Sequence, residues 1–513
     1  MTGQDLVALS PFWITGAAAL AVVLVISFTR SHRAAFGTTV AGILLAAASI
    51  GWALPRTPRE VAPLLVVDGL ALLYAGLLLA ATLGVALLAY GYLERRRGGD
   101  RGEDPGELYA LLLLSTLGGL VLVASHHVAS LFVGLELLSV GLFVLVGYFR
   151  RDPRGVEAAL KYLVLAGASS AFLLFGAALV YAETGALSLP ELAAALGPRG
   201  GVDGAAGFLL PAGLALILVA VGFKLALVPF HLWTPDVYQG APAPVSAFVA
   251  TVSKGAVLAL LLRWSTSLTE MGEIWPGAPE LLLALVGTLA LASMVAGNFL
   301  ALLQDNVKRI LAYSSIAHLG YALVALLAGI ASVGRPGVGA ELSVEGVTFY
   351  LAAYFVSILG AFGVVAVLPG SGGPGSEAET LEDYRGLFWR RPVLAALFSA
   401  LLLSLAGIPL TAGFVAKFYA LAAGVETAMW LLVLVLVGTS ALGLFYYLRV
   451  VVALFSPAAA EEGPAQGAPG APRRTLPLQA PSTVALTVVA VLLVWLGTWP
   501  APAIELIRAA AGS

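Results

Sequence analysis

Fourteen apolar stretches, each long enough to cross the hydrocarbon core of a bilayer, leave this chain few ways to fold. A helix needs about 20 residues to span ~30 Å of hydrocarbon. Runs of that order lie at 11–29, 34–54, 65–90, 107–125, 128–149, 156–182, 207–233, 241–263, 279–303, 308–330, 346–368, 393–422, 428–455 and 482–503. The composition agrees: 60% of the 513 residues are hydrophobic and 11% charged, where ordinary globular chains carry roughly 25% charge. That leaves too little polar surface to clothe a water-soluble fold. The expected fold class is an all-α membrane protein of about fourteen transmembrane helices.

Several chemistries fall away at the same level. A net charge of −2 gives no basic field for nucleic acid. The absence of cysteine removes thiolate catalysis, disulfides, Cys-ligated zinc and iron–sulfur clusters. No carboxylate pair, Ser/His/Asp set or metal-ligand spacing points to hydrolytic or redox chemistry, and the histidine placement does not ask for haem. The first run does not read as a cleaved leader: Asp5 precedes it without a positive charge, and it ends at Thr29-Arg30-Ser31-His32-Arg33.

Basic residues set the orientation. Seventeen of the 27 Lys and Arg residues fall in loops after odd-numbered spans and six in the others. By the positive-inside rule the first set faces the cytoplasm, so both termini are expected on the outer side of the membrane. The linkers carry no recognisable domain. Glu94–Glu107 is a charged turn of mixed sign, and Pro369–Ser376 and Ser456–Pro481 are rich in Gly, Pro and Ala. Gly370, Gly372 and Gly375 fit a GxGxxG pattern, but a membrane span precedes it and Pro374 interrupts it, so it reads as a loop rather than a dinucleotide site.

The remaining four basic residues are all lysines inside apolar spans: Lys161, Lys224, Lys254 and Lys417. One carboxylate, Glu136, joins them near the middle of its own span. Each ionised group at a helix centre costs roughly 2.5–3.5 kcal/mol. Five together reach on the order of 12–18 kcal/mol, comparable to the ~5–15 kcal/mol stability of a typical domain. Such groups face a hydrated interior and mark ion or proton paths. Lysine suits a proton path because burial lets it release and regain a proton, whereas arginine stays charged. Lys161, seven residues past Arg154, is also placed to snorkel to the cytoplasmic interface.

Two spans are broken by proline near their lysine, at Lys224-Leu-Ala-Leu-Val-Pro229-Phe-His231 and at Gly407-Ile-Pro409-Leu-Thr411-Ala-Gly413-Phe-Val-Ala-Lys417. Proline frees a carbonyl, and such interrupted spans in two halves of a chain point to a transport site between repeats. His231 adjoins the first break, where a proton relay and a structural hydrogen bond are both open. His318 lies within Ser314-Ser315-Ile-Ala-His318-Leu-Gly-Tyr321, with hydroxyls nearby, and reads as part of the path. His32 and His126-His127 read as interfacial loop residues.

These motifs carry a resemblance. Phe230-His-Leu-Trp-Thr-Pro-Asp236-Val-Tyr238-Gln-Gly240-Ala-Pro242-Ala-Pro244-Val-Ser resembles the signature of the antiporter-like subunits of respiratory complex I. Tyr384-Arg-Gly-Leu-Phe-Trp389, Ser404-Leu-Ala-Gly-Ile-Pro409-Leu-Thr-Ala-Gly-Phe and Lys308-Arg-Ile-Leu-Ala-Tyr313-Ser-Ser-Ile-Ala-His318 support it, and the subunit N type of bacterial NADH:quinone oxidoreductase is closely similar. The likeness covers nearly the whole chain and is weakest at 94–107, 370–378 and 456–480.

The resemblance implies two inverted five-helix repeats with two broken helices. It divides the chain into a three-helix segment (1–106), a first repeat (107–266), a second repeat (267–455), and a loop with a C-terminal helix (456–513). Residue by residue, Glu136 matches the family's fifth-span glutamate and Lys224 its broken-helix lysine. Lys254 matches the connecting lysine, Lys417 the lysine of the second broken helix, and Lys161 a lysine of this subunit type. Lysine at 417 suits subunit N, since subunit M carries glutamate there, and the chain lacks the lateral helix of subunit L. His318 takes the place in the second repeat that Glu136 holds in the first.

The implied function is proton translocation by a non-redox subunit, with Glu136 and Lys224 paired so that their separation releases a proton toward Lys254 and Lys417. The chain itself would hold no cofactor; FMN, iron–sulfur clusters and quinone are implied in partner subunits. Partners would be other complex I subunits, especially neighbouring antiporter-like and small membrane subunits, with membrane lipids. Two alternatives stand beside this: a subunit of a multi-subunit sodium/proton antiporter, and a scaffold whose charges only pair structurally.

Overall fold

Long apolar runs fold as helices in hydrocarbon because each backbone donor then finds its acceptor within the same segment. A computed structural model describes residues 2–97, 105–196, 207–272, 278–332, 338–370, 376–457 and 478–512. Among the described residues, twelve helices are long and apolar enough to cross a membrane. The seventh and twelfth expected spans hold shorter apolar helices instead, Leu209–Leu225 and Pro392–Ala406. The protein is an all-α membrane protein. Gly372, Pro374 and Gly375 lie outside the described residues, as do Arg101, Arg199, Arg335, Arg473 and Arg474 among the basic residues counted above, half of the 94–107 linker and most of the 456–481 linker.

The N-terminal part contains α1 (Gly3–Ala8), α2 (Ser10–Thr29), α3 (His32–Ala53) and α4 (Gly69–Arg97). Between α3 and α4 a small hairpin, β1 (Arg59–Val61) and β2 (Leu65–Val67), pairs antiparallel with Glu60 opposite Val66. The next group is α5 (Gly106–Val123), α6 (Val128–Val146), α7 (Pro153–Thr184), α8 (Leu189–Leu196), α9 (Leu209–Leu225), α10 (Trp233–Gly240), α11 (Ala243–Phe248) and α12 (Lys254–Gly272). Then come α13 (Ala278–Leu302), α14 (Val307–Ala331) and α15 (Val338–Val367). After them run α16 (Leu381–Tyr384), α17 (Leu387–Arg390), α18 (Pro392–Ala406), α19 (Ala412–Glu426), α20 (Trp430–Phe455), α21 (Ala480–Thr498) and α22 (Ala501–Ala511).

Burial identifies the centre. In the α11–α12 segment and in α14, 94% of the membrane-crossing window is buried, and in α15 it is 89%, against 28% for α2 and 33% for α7. Three helices therefore form an inner layer and the others surround it. Small residues allow the close approaches, as expected where lipid supplies no hydrophobic drive between helices. A Cβ added at Gly118 of α5 would stand 2.4 Å from the Leu138 backbone nitrogen of α6. Gly176 of α7 and Gly213 of α9 each leave 2.6 Å to the other's carbonyl oxygen.

Both helix breaks are closed by the same hydrogen-bonded cap. At the end of α9 the Ala226 N–H donates to Phe223 O (3.0 Å) and the Leu227 N–H to Gly222 O (2.8 Å). At the end of α18 the Gly407 N–H donates to Ser404 O (2.9 Å) and the Ile408 N–H to Leu403 O (3.1 Å). These are the crossed bonds of a Schellman cap, which ties off the terminal carbonyls that hydrocarbon would leave bare. The cap needs a left-handed residue. Gly407 (φ 86°) takes that conformation at little steric expense, whereas Ala226 (φ 60°) is strained by its Cβ.

Several expectations are corrected. The eighth span is not one regular helix: a π-helical turn, Val249–Ser253, separates α11 from α12. The third span begins at Gly69, after β2, and Asp68 caps it by accepting the Ala71 N–H at 2.7 Å. The last span ends at Thr498, and α22 follows as a separate helix. His32 is not a loop residue. It starts α3 at 2% exposure, with Nδ1 2.6 Å from Glu94 and Nε2 2.8 Å from the Tyr109 hydroxyl. Arg263, expected at a span end, is buried within α12 and grips both oxygens of Asp68 at 2.7 and 2.8 Å.

Lys308, counted above among the loop cations, is 1% exposed and paired with Glu377 at 2.6 Å. Burial pushes the Glu377 carboxyl up, but the Lys308 charge, with hydrogen bonds from Lys308, Tyr92 and the Ala243 N–H, outweighs it and holds the group below its ordinary 4.5. A carboxyl lowered on folding contributes stability above its unfolded value and loses it as pH falls through the folded value.

Two outcomes follow for the purified protein. Ala226→Gly should raise stability by about 1 kcal/mol by relieving the left-handed strain, read as a higher melting temperature in detergent. Acidification below about pH 4.5 should lower the melting temperature, and Glu377→Gln should remove part of that acid-dependent loss.

Candidate functional site

A buried ammonium must be given hydrogen-bond partners or it costs several kcal/mol. Three of the predicted lysines solve this in one way. Lys224, near the end of α9, donates to Ser139 Oγ at 2.5 Å and to the Tyr162 hydroxyl at 3.2 Å, and its Nζ lies 5.2 Å from the Tyr162 ring. Lys254, the first residue after the π turn, donates to Ser315 Oγ at 2.6 Å and lies 5.3 Å from the Tyr238 ring. Lys417, in the second turn of α19, donates to Ser440 Oγ at 2.7 Å and lies 5.1 Å from the Tyr321 ring. Each cage is one serine hydroxyl and one tyrosine face, a pairing that combines a hydrogen bond with cation–π attraction.

The broken helix supplies part of the third cage. Lys417 also donates at 2.9 Å to the carbonyl of Ala406, the last residue of α18, so the carbonyl freed at the break receives the charge. At Lys254 the π turn does comparable work, since its extra residue resets which face of α12 meets α14. Among the described residues, no carboxylate lies within 4.0 Å of Lys224, Lys254 or Lys417.

Hydroxyls and amides join the cages. The Tyr162 hydroxyl faces Ser253, the neighbour of Lys254. Ser315 lies 3.3 Å from the Tyr238 hydroxyl, and Ser314 beside it is bonded to the Tyr447 hydroxyl. Tyr447 lies 3.2 Å from His318 Nε2, and Tyr350 lies 2.7 Å from Nδ1. The ring of Tyr446, 4.4 Å from that of Tyr447, carries a hydroxyl that donates to Asn298 at 3.1 Å. Asn298 donates to Tyr321 (2.8 Å), which donates to Thr439, the neighbour of Ser440 (3.2 Å). Lys224, Lys254, His318 and Lys417 thus lie along one row of polar side chains drawn from α6, α7, α9, α10, α12, α13, α14, α15, α19 and α20.

Glu136 is half-buried on α6 and accepts from Ser170 of α7. Its expected ion pair with Lys224 is not formed; Ser139, one turn further along α6, holds the ammonium instead. Lys161 does not enter the row. Its side chain is 44% exposed and bonds Glu157 at 2.7 Å and Asp236 at 2.8 Å, the geometry of a lysine drawn to the interface. His231 sits in the first break at 8% exposure with Nδ1 unbonded among the described residues, apart from the row. A cavity of about 570 Å³, lined by Ser265, Ser343, Glu345 and Arg508 among others, lies against α22 and away from the lysines.

Sequence reasoning missed the cage residues. Ser139 was within reach of it, three positions from Glu136 on one helix face, and Ser314-Ser315 preceded His318. Tyr162, Tyr238 and Tyr321 gave no local signal, because their lysines arrive from other helices. Replacing a caged lysine by methionine removes a costly buried charge at similar volume, so Lys254→Met should melt no lower than the parent. Ser315→Ala should melt lower by about 1–3 kcal/mol, having stranded the ammonium.

Comparison with known proteins identifies the family. Residues 125–443 match the family described as NADH:quinone oxidoreductase/Mrp antiporter, TM. A chain of respiratory complex I from Thermus thermophilus, solved with bound aureothin, is 33% identical over 96% of this chain and 98% of that one, with a TM-score of 0.75. A chain of the archaeal membrane-bound sulfane sulfur reductase is 23% identical over 99% and 97%, with a TM-score of 0.79. A chain of the Mrp complex from Dietzia sp. DQ12-45-1b is 20% identical over 100% and 97%, also at 0.79. The last two show a shared fold. Family match and full-length likeness together make this chain a member of the complex I and Mrp antiporter-like family of multi-pass membrane subunits.

Proposed function

We propose that this chain is a proton-translocating, non-redox subunit of NADH:quinone oxidoreductase of the subunit N type. The observation that carries the reading is the row of three buried lysines held by neutral hydroxyls and tyrosine faces, with a histidine between the second and third. An amine without a carboxylate partner is free to lose its proton, and the nearest hydroxyl stands ready to take the hydrogen bond. Protons would pass from Lys224 through Tyr162 and Ser253 to Lys254, then by Ser315, Ser314, Tyr447 and His318 toward Lys417.

Glu136 would set the state of Lys224. With the carboxylate close, the ammonium would keep its proton; drawing the two apart would let the proton pass on toward Lys254. The driving event would be a charge change in a neighbouring subunit after quinone reduction, with flavin, clusters and quinone held by partners. His231 and Lys161 would serve the cytoplasmic approach. The units 107–266 and 267–455 would be the two inverted repeats, with both termini periplasmic in a bacterial plasma membrane.

A second reading, a subunit of a multi-subunit sodium/proton antiporter, draws equal support from the family description and from the fold of the Dietzia complex. Co-purification separates the two: a flavin-containing NADH-oxidising partner supports the first and its absence the second. In vesicles reconstituted with the complete complex, Lys224→Ala should abolish NADH-driven acidification while NADH oxidation in detergent continues. Unchanged acidification would reject the transfer role.

A further inference from the structure

One buried ion pair takes no part in the proposed transfer. Lys308, at the start of α14, and Glu377, in the segment before α16, have side chains 2% and 6% exposed and meet at 2.6 Å. Burying two charges is seldom stabilising in itself, so what else they bond decides their use. Lys308 Nζ donates to the carbonyl of Ala241 at 2.7 Å. The other oxygen of Glu377 accepts the N–H of Ala243 at 2.8 Å. Between them stands Pro242, which has no N–H. The pair therefore takes up the backbone carbonyl and the backbone N–H on the two sides of the α10–α11 junction.

Both ends of the pair are themselves held. The Val307 N–H donates to Glu379 O at 2.6 Å, the Leu381 N–H to Asp305 O at 3.2 Å, and Asn306 to Glu379 Oε2 at 3.0 Å, which ties the Glu377 segment to the start of α14. On α14, Lys308 and Ser315 are seven residues apart, two helical turns or about 10.5 Å along one face. The first grips the beginning of the α11–α12 segment and the second holds the Lys254 ammonium in the same segment. A slip of that segment along α14 would break both contacts.

We propose that Lys308 and Glu377 form a positioning clasp that fixes the register of the α11–α12 segment on α14 and so keeps Lys254 on Ser315. Its effect on transfer rests on the role given to Lys254 above; its effect on register does not. The clasp has a polarity. A cation must face the Ala241 carbonyl and an acceptor must face the Ala243 N–H. Exchanging the residues would set a carboxylate against a carbonyl and an ammonium against an N–H, although the attraction between the side chains would survive.

The test uses the assembled complex with Lys308→Arg, Glu377→Gln and the exchanged pair Lys308→Glu/Glu377→Lys, with Lys254→Met as a control. Amide hydrogen exchange at Ala243 and protons moved per NADH are measured on each. Lys308→Arg and Glu377→Gln keep a donor and an acceptor, and should hold Ala243 exchange within about threefold of the parent. The exchanged pair should speed it at least tenfold and lower protons per NADH at least threefold. Restoration of both readouts by the exchanged pair would overturn the clasp in favour of plain charge attraction. If the exchanged pair fails to assemble, tenfold faster exchange in Glu377→Gln would overturn it, and parent-like exchange in Glu377→Gln and Lys308→Arg would support it. Normal pumping by Lys254→Met would reject the role of Lys254, while the exchange data alone would still judge the clasp.

Discussion

An ammonium group among leucines and valines has nothing to bond to unless other elements bring it something, and much of this architecture follows from that. Each cage is assembled from helices remote in sequence: α9 brings Lys224 to α6 and α7, α12 brings Lys254 to α14, and α19 brings Lys417 to α18 and α20. The irregularities of the backbone fall at the same places. Two helix breaks and one π turn adjoin the three lysines, and each makes a bond or a register that a continuous helix would deny. Capping the breaks with crossed hydrogen bonds keeps their carbonyls from adding to the polar load of the interior.

How much of this the amino-acid sequence disclosed depended on whether a feature is local. Apolar run length is local, so the helices and the two proline breaks at Pro229 and Pro409 were legible. The lysines stood out because charge is rare in such runs. The π turn at Val249–Ser253 was not legible, since Val-Ala-Thr-Val-Ser fits a regular helix equally well and its packing against α15, α4 and α5 comes from elsewhere in the chain. Partnerships were hidden for a related reason. Arg263 looks like an interfacial cation until Asp68 arrives from the hairpin side, and His32 looks like a loop residue until Glu94 and Tyr109 close over it. The expected Glu136–Lys224 contact illustrates the limit: spacing places both residues in the interior but does not say which hydroxyl comes between them.

The two ends of the row are built differently. On one side a carboxylate, Glu136, sits one turn from the serine that holds Lys224. On the other, His318 stands between two tyrosine hydroxyls, and the third lysine leans on a backbone carbonyl. The two ends of the row therefore offer an arriving charge different partners. The clasp at Pro242 supplies mechanical firmness near the middle, where α11–α12 and α14 share the burden of alignment.

Uncharged cages also have a collective consequence. Among the described residues Glu136 is the carboxylate beside this row of three amines, so a charge on one amine raises the electrostatic cost of charging the next. The row therefore resembles a sparsely populated track in which occupancy at one position discourages crowding at its neighbours. Vacancy, as much as occupation, is what would travel along it.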